Sequence, residues 1–311
     1  MTSATVPSSS ATVRVPAKVN LELLVGPLRE DGYHNLSTVY HAVSLFDEVT
    51  VSFADEWGLE VCGPRAEGVP TDGSNLAARA AQLLARAGGV DEPVHIRIRK
   101  DIPVSGGMAG GSADAAAALV ACDHLWGLAM TREELEEIAA DLGSDVPFLL
   151  AGGTAMGSGR GEVLAPVLAR GTYHWVFALS DGGLSTPAVY AECDRLREGR
   201  EVPEPTPTPA MMTALRSGDA RALGRALTND LQPASIRLMP ELGDILDAGM
   251  EYGALGGVVS GSGPTVAFLV EDTEAALDLA VSLTASGAVQ DVRRATGPAH
   301  GAHLVAAPRP S

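Results

Sequence analysis

The chain has 311 residues, a formal net charge of −17 at pH 7 and an apolar fraction of 46%. This length is enough for two domains with hydrophobic cores. The negative charge argues against nucleic-acid binding, which requires a basic face, and the sequence has no continuous apolar run of membrane-spanning length. Because the amino-terminal residues lack the pattern of a secretory signal, we expect a soluble, cytoplasmic protein.

In the first half of the chain, alternating apolar residues predict strands at 13–25, 39–53 and 94–99. Helical periodicity predicts helices at 75–87 and 112–126. Thr131 and Glu134 have the spacing of a capping box, which predicts a third helix that ends at Gly143. Glycine-rich turns follow between residues 152 and 161.

The second half predicts a similar mixture, interrupted by the stiff, proline-rich connection 201–209. Its predicted strands are 175–179, a strand at 258, 266–270 and a closing strand at 303–306. Its predicted helices are 210–215, 220–228, 241–252 and 274–285. We interpret this order as two α+β domains, residues 1–165 and 166–311, with the functional site in the cleft between them.

The three cysteines, Cys62, Cys122 and Cys193, are widely separated and lack the spacing of metal ligands. We expect free thiols in a reducing compartment rather than a zinc site. His300 and His303 lie three residues apart but have no evident third ligand. The sequence therefore predicts no resident metal centre.

The most informative segment is 103–119, PVSGGMAGGSADAAAAL, which has glycine at four of six consecutive positions, 106–111. Glycine lets an anion approach the backbone, and the alanine run predicts a helix that opens near Ser112. The free N–H groups of a first helical turn suit a phosphate. A tight strand-to-helix turn is the alternative. The segment is not a P-loop, because Ser112 stands where lysine is required, and it contains no GxGxxG fingerprint.

This segment, with its proline, its GMAGGS run and its alanine helix, resembles the second motif of the GHMP kinases, a family of small-molecule kinases. The family's first motif resembles VRVPAKVNLELLVG at 13–26, and its third resembles GGVVSGSGPTVAFLV at 256–270. The resemblance implies ATP with Mg²⁺ as cosubstrate and no tightly bound cofactor. It also implies an amino-terminal domain like the second domain of ribosomal protein S5 and a ferredoxin-like carboxy-terminal domain.

Lys18 and Asp145 match the catalytic lysine and aspartate of this family. Without the resemblance, Asp145 would be read as a helix cap and Lys18 as a solvated charge on a strand. The resemblance implies that Asp145 accepts or orients the proton of the substrate hydroxyl. Lys18 would keep that carboxylate ionised and stabilise the attacking oxygen. The sequence leaves open whether Asp145 acts as a base, because a loose phosphoryl-transfer transition state needs little prior deprotonation.

The predicted ATP site comprises residues 106–111, here called the glycine loop, and the residues on either side of it. Ser112 would cap the helix, or offer its hydroxyl to a phosphate or to Mg²⁺, and these roles are compatible. Ala109 and Ala113 depart from the family pattern, in which a glycine and a second serine are common. The predicted ATP-binding residues are Pro103, Val104, Ser105, Gly106, Gly107, Met108, Ala109, Gly110, Gly111, Ser112 and Ala113.

The stretches REDGYHNL (29–36), LGSDVPFLLAGG (142–153), STPAVY (185–190) and NDLQP (229–233) resemble one member of the family more closely. That member phosphorylates a cytidine-diphosphate methylerythritol. The resemblance implies that Tyr33 stacks on the cytosine, that His34 bonds its polar edge, and that Tyr190 closes the stack from the other side. As a lone histidine in a loop, His34 would be a surface residue.

Two further positions complete the predicted substrate site. Asn20 lies on the same strand face as Lys18 and would contact substrate, although a strand-edge asparagine is the simpler interpretation. Gly261, Ser262 and Gly263 read alone as a hairpin turn, whereas the resemblance places their loop beside the phosphate cradle and against the substrate.

Two alternatives stay open. A homoserine or mevalonate type of kinase would not need Tyr33, His34 and Tyr190. A non-catalytic nucleotide-binding member, or an S5-like RNA-binding domain, is opposed by the presence of Lys18 and Asp145 and by the acidic charge. The expected partners are small molecules, with no nucleic acid and no membrane, in a monomer or homodimer.

Overall fold

A long antiparallel pair forms the centre of the first sheet in the computed structural model, which describes residues 10–104, 106–180, 182–289 and 291–305. The two strands are β1 (Ser10–Leu28) and β2 (His34–Phe53). Irregularities after Pro16, Asn20 and Val25 shift the register of the pair. The middle of β1, from Val15 to Leu23, is buried, so Lys18, Asn20 and Glu22 are held inside the molecule rather than at its surface.

The remaining elements of the first half surround this pair. β4 pairs with β2 on one side and, in parallel, with β3, while β5 pairs with another part of β2 and with β6. These elements are β3 (Gly58–Cys62), α1 (Leu76–Gly88), β4 (Val94–Arg99), α2 (Gly110–Trp126), α3 (Arg132–Leu142), α4 (Val146–Ala151), β5 (Thr154–Ser158) and β6 (Val163–Pro166).

Helix α2 is the central helix of the first half and packs against α1, β1 and β2. Its alanine run is buried on almost every side, since small side chains let neighbouring elements approach closely. Helix α3 begins with the predicted capping box, in which Thr131 accepts from the Glu134 N–H and Glu134 accepts from the Thr131 N–H.

The second half contains a separate antiparallel sheet in the order β11–β7–β10–β9. The first strand of that sheet lies between the last and the third, which is the ferredoxin-like order that the resemblance implies. The elements are β7 (Tyr173–Leu179), α5 (Thr186–Leu196), α6 (Pro209–Ser217), α7 (Ala220–Ala226), β8 (Thr228–Asn229), α8 (Gln232–Leu238), α9 (Glu241–Glu251), β9 (Gly256–Val259), β10 (Val266–Val270), α10 (Thr273–Ala285), β11 (Asp291–Gly297) and β12 (His303–Leu304).

The two halves are joined by strands and by a shared core. β8 pairs in parallel with β1, opposite Glu22 and Leu23, and β12 pairs antiparallel with β1. Side chains of β7, among them Trp175 and Phe177, belong to the same hydrophobic core as β1 and α2. A domain boundary near residue 165 stays a prediction.

Several elements differ from the sequence-based expectation. Helix α2 begins at Gly110 rather than near Ser112, and the helix predicted at 220–228 ends at Ala226, where β8 follows. Helices α4, α5 and α8 and strands β3, β5, β6 and β11 were not predicted, because they are short or carry polar and glycine residues that hide their periodicity. The predicted closing strand is β12, and Ala306 lies outside the described residues.

The three cysteines are free, as expected. Within the described ranges, no helix has both the length and the apolar character that a membrane span requires.

Candidate active site

A cleft of about 760 Å³ lies between the glycine loop, the β1–β2 pair and the second half of the chain. Most of the residues predicted for the site line this one cleft. They are Lys18, Asn20, Tyr33, His34, Gly106, Gly107, Ala109, Gly110, Gly111, Ser112, Asp145, Tyr190, Gly261, Ser262 and Gly263.

Four residues of the predicted ATP site do not line the cleft. Pro103, Met108 and Ala113 are buried, and Val104 is exposed outside it. The backbone of Met108 links the glycine loop to β1, because its carbonyl accepts a hydrogen bond from the Lys18 N–H at 3.3 Å. Ser105 lies outside the described residues.

Lys18 is the buried cation of the cleft. Its side chain comes from β1 and the residue is only 4% exposed, so a solvated charge is excluded. Its Nζ lies 3.9 Å from Oδ2 of Asp145 and donates a hydrogen bond of 2.6 Å to Oδ1 of Asn20. Asn20 in turn donates to Thr38 Oγ1 at 2.8 Å, which turns its amide oxygen toward the lysine. Lys18 and Asn20 thus share one strand face, and Asn20 is not an edge residue.

Burial lowers the pKa of Lys18, and the nearby Asp145 carboxylate opposes that shift without cancelling it. Burial also raises the pKa of Tyr40, whose ring centroid lies 5.8 Å from the Lys18 ammonium. Lys18 is therefore a cation held in a partly dry site, where its field acts strongly on a neighbouring charge.

Asp145 immediately precedes α4, yet its side chain makes no capping hydrogen bond. The side chain of Asp145 is 29% exposed and lines the cleft. Helix α4 is held against β2 by the stacked rings of Phe148 and Tyr40, whose centroids lie 4.9 Å apart. The Asp145 carboxylate thus lines the cleft instead of capping the start of α4.

The glycine loop leads directly into α2. Gly107 has φ of 72° and Ala109 has φ of 60°, both in the left-handed region. Ala109 occupies the N-cap position without a side-chain bond, so Ser112 is not the cap and lies in the first turn, on the cleft wall. The free N–H groups of that turn face a cavity that has room for phosphates.

The loop between β9 and β10 meets the glycine loop from the other side of the cleft. Ser260 Oγ donates to the Gly107 carbonyl at 3.0 Å, and a Cβ on Gly107 would collide with the Ser260 carbonyl oxygen. Asn229 secures this loop by donating to the carbonyls of Val259 and Gly261 at 2.8 and 2.7 Å. Residues 261–263 thus form both a hairpin turn and a wall of the cleft.

Aromatic side chains line the end of the cleft near the β1–β2 turn. His34 is buried rather than at the surface, and its Nε2 lies 2.9 Å from Oδ1 of Asp194. The His34 ring stacks on Tyr190 of α5, with centroids 5.2 Å apart. Tyr33 is 54% exposed. Tyr33 and Tyr190 therefore both reach the same end, from opposite halves of the chain.

Arg160 is a cleft residue that the sequence did not predict. It lies in the turn between β5 and β6, and its guanidinium carbon is 5.0 Å from the Tyr33 ring centroid. The signal available in the sequence was an arginine inside a glycine-rich turn of a strongly acidic chain. Tyr40 was also missed, because it reads as an ordinary core residue of β2.

Metal binding by side chains alone finds no support in the described part of the chain, where no group of three or more His, Cys, Asp or Glu residues is arranged to hold an ion. An anionic ligand in this cleft would meet the two cations Lys18 and Arg160 and the backbone N–H groups of the glycine loop. The arrangement suits a phosphorylated ligand beside a carboxylate.

Two family models match the chain. The model for the GHMP kinases N terminal domain matches residues 75–153, which include the glycine loop and Asp145. The model for the GHMP kinases C terminal matches residues 211–289, which include the β9–β10 loop.

Curated relatives match over nearly the whole length. The 4-diphosphocytidyl-2-C-methyl-D-erythritol kinase of Thermobifida fusca is 60% identical over 305 residues, which covers 96% of this chain and 99% of the relative. The enzyme of the same name from Mycobacterium tuberculosis is 55% identical over 306 residues, covering 97% of this chain and 95% of the relative.

Solved structures show the same architecture. A crystal structure of 4-(cytidine 5'-diphospho)-2C-methyl-D-erythritol kinase has a TM-score of 0.74 at 35% identity, covering 91% of this chain and 98% of its own. Homoserine kinase from Cytophaga hutchinsonii also has a TM-score of 0.74, at 18% identity, covering 98% of this chain and 100% of its own. The second likeness is one of fold alone.

The strained backbone at Ala109 yields a stability prediction. Replacing Ala109 by glycine should raise the free energy of unfolding by about 0.5–1 kcal/mol, because glycine adopts the left-handed region without the Cβ penalty. Urea denaturation measures the change. The control is Ala280→Gly within helix α10, which should lower stability by about 1 kcal/mol. Loss of stability in both variants would contradict the prediction.

Proposed function

The chain belongs to the GHMP kinases, and from this premise we propose that it phosphorylates the 2-hydroxyl of 4-diphosphocytidyl-2-C-methyl-D-erythritol in the non-mevalonate route to isoprenoid precursors. It is an ATP-dependent small-molecule kinase, as are the curated relatives that are 55–60% identical to it. The observation that supports this substrate is the arrangement of residues along the cleft. Lys18 and Asp145 lie beside the glycine loop, and Tyr33, His34 and Tyr190 form the end near the β1–β2 turn.

The glycine loop would bind the phosphates of ATP. Backbone N–H groups of residues 107–112 supply donors, and the amino-terminal end of α2 adds a partial positive charge. Mg²⁺ would arrive with ATP, held mainly by phosphate oxygens and water. The Ser112 hydroxyl on the cleft wall would serve a phosphate or that ion. This assignment explains how a loop without the P-loop lysine can bind a triphosphate.

Lys18 and Asp145 would carry the transfer itself. The substrate 2-hydroxyl oxygen bonds to the γ-phosphorus, the bond from that phosphorus to the β,γ-bridging oxygen breaks, and the hydroxyl proton passes to Asp145. Lys18 stabilises the charge on the attacking oxygen and favours the ionised carboxylate. Asn20 accepts a hydrogen bond from the ammonium and so orients it.

The nucleoside end would hold the cytidine. Tyr33 and Tyr190 would stack on the cytosine from the two halves of the chain, and His34, paired with Asp194, would hydrogen-bond its polar edge. Stacking of this kind contributes about 1–3 kcal/mol per base. Arg160, next to Tyr33, supplies a cation for the diphosphate. Homoserine and mevalonate contain no nucleobase, so a kinase for either would not need Tyr33, His34 and Tyr190.

ADP release tests the proposed substrate. The protein is assayed with MgATP and 4-diphosphocytidyl-2-C-methyl-D-erythritol, with homoserine and mevalonate as parallel acceptors. Turnover with the cytidine compound alone supports the proposal. Turnover with homoserine or mevalonate, or with none of the three, would overturn the assignment of substrate.

The lowered pKa of Lys18 predicts the alkaline side of the activity profile. Because the ammonium is the active form, kcat should fall as pH rises through the pKa of Lys18, which lies below its ordinary value of 10.5. Lys18→Arg keeps the charge at high pH. Whatever the residual kcat of Lys18→Arg, its kcat should therefore stay constant over the pH range in which kcat of the parent protein falls. An identical alkaline limb in both proteins would assign the titration to another group.

Asp145→Asn should lower kcat by at least about 100-fold, since the amide cannot take the substrate proton. The dissociation constant for MgADP should stay within about twofold, because the change leaves the glycine loop intact. Steady-state kinetics and calorimetry measure the two quantities. Full activity in this variant would remove Asp145 from the proposed mechanism.

Tyr190 provides a specificity prediction. Tyr190→Ala should raise KM for the cytidine substrate by about 10–100-fold, the equivalent of one lost stacking contact. Tyr190→Phe keeps the ring and serves as the matched control, with KM close to that of the parent. KM for ATP should change in neither variant. Equal effects of the two substitutions would argue that the hydroxyl, rather than the ring, matters.

A further inference from the structure

Lys100 is buried beneath the glycine loop, directly after β4, and is 2% exposed. Its ammonium donates to three oxygens: Oδ2 of Asp47, Oδ2 of Asp114 at 2.7 Å, and the Gly110 carbonyl at 2.9 Å. An ammonium group has three N–H donors. All of them are therefore used, and one of them holds the backbone at the first residue of α2.

The same network also holds the chain that enters the glycine loop. Oδ1 of Asp47, on β2, accepts the backbone N–H groups of Asp101 at 2.7 Å and Ile102 at 2.9 Å. Asp114 lies in the second turn of α2. Both ends of the glycine loop are thus bonded, through one buried cluster, to the strand that pairs with β1 and so with Lys18.

The choice of lysine at this position is informative. The sequence contains two lysines, Lys18 and Lys100, against twenty arginines, and both lysines are buried. A compact ammonium can face three converging acceptors, whereas a planar guanidinium presents its donors in one plane on a larger group. Gly110 leaves the space required, because a Cβ there would lie 3.0 Å from the Lys100 Nζ.

We propose that Lys100 is a positioning residue for ATP, which acts by holding the Gly110 carbonyl and thereby the phosphate-facing N–H groups of the first turn of α2. Lys100 does not line the cleft, so it acts through the loop and not on the nucleotide. The strained Ala109 precedes Gly110. Without the ammonium, the loop is free to relax away from the geometry that presents its donors. The proposal rests on the kinase assignment for its nucleotide, but not on the identity of the acceptor.

The test separates loop geometry from stability. Lys100→Met removes the donor but leaves two buried carboxylates without a cation, which also destabilises the fold. The triple variant Lys100→Met, Asp47→Asn, Asp114→Leu removes that uncompensated charge without restoring the cationic donor to Gly110. Lys100→Arg keeps the charge with the wrong geometry. For each protein, calorimetry gives the dissociation constant of a non-hydrolysable ATP analogue with Mg²⁺, and thermal unfolding gives Tm.

We expect the triple variant to regain much of the Tm lost in Lys100→Met while its dissociation constant for the analogue stays about tenfold above that of the parent. Lys100→Arg should also bind more weakly. KM for the cytidine substrate should change little in all three variants, since the proposed contacts with its cytidine lie at the other end of the cleft. A triple variant that regains both Tm and nucleotide affinity would overturn the proposal and leave the cluster a structural role.

A matched control covers the case in which the triple variant remains unstable. Leu279→Ala in α10 removes a buried side chain of the second core, away from the cleft, and lowers Tm. Suppose that Leu279→Ala lowers Tm as much as the Lys100 variants do but keeps its affinity for the analogue within about twofold of the parent's. The weaker binding in the Lys100 variants then results from altered loop geometry and not from lower stability. An equal loss of affinity in this control would overturn the proposal. A parent protein that binds the analogue but ignores the cytidine substrate would instead refute the proposed substrate alone.

Discussion

The contact between Gly107 and Ser260 is the constraint on which the rest of the site depends. The glycine loop belongs to the first half and the β9–β10 loop to the second, and they meet because Gly107 has no side chain. Asn229 holds the second loop in place, and β8, which carries Asn229, pairs with the strand that carries Lys18. Both halves of the chain therefore line the cleft, and neither half alone encloses it.

The second organising feature is how an acidic chain provides cations for anionic ligands. It buries its two lysines beside carboxylates, yet their pKa values shift in opposite directions. Burial lowers the pKa of Lys18, which has one carboxylate at 3.9 Å. Burial acts in the same direction on Lys100, but the carboxylates of Asp114 and Asp47 outweigh it and raise that pKa. The Lys18 ammonium can thus respond to charge in the cleft, while all three donors of the Lys100 ammonium are used within the buried cluster.

The sequence predicted the features that depend on neighbouring residues, but not the contacts between residues far apart in the chain. The glycine loop, the capping box at Thr131 and the shared face of Lys18 and Asn20 follow from patterns within a few residues, and the structure has all three. The contact of His34 with Asp194 spans 160 positions, and no local pattern predicts it. The helix after the loop begins at Gly110 rather than Ser112 because Ala109 adopts a left-handed conformation, which a non-glycine residue seldom does. Asp145 resembles a cap in sequence, and only the structure shows that its carboxylate makes no capping hydrogen bond and lines the cleft instead.

The overall architecture does not by itself specify the acceptor of the phosphoryl group. The structures with 35% and 18% identity have the same TM-score of 0.74, although one is named for a cytidine substrate and the other for homoserine. The same fold thus occurs in proteins that are named for different acceptors. The groups proposed to distinguish them here lie on the β1–β2 turn, on α5 and at Arg160, away from the helix that would hold the phosphates. Because these elements do not carry the glycine loop, the proposed nucleoside end can vary while the proposed phosphate end keeps its geometry.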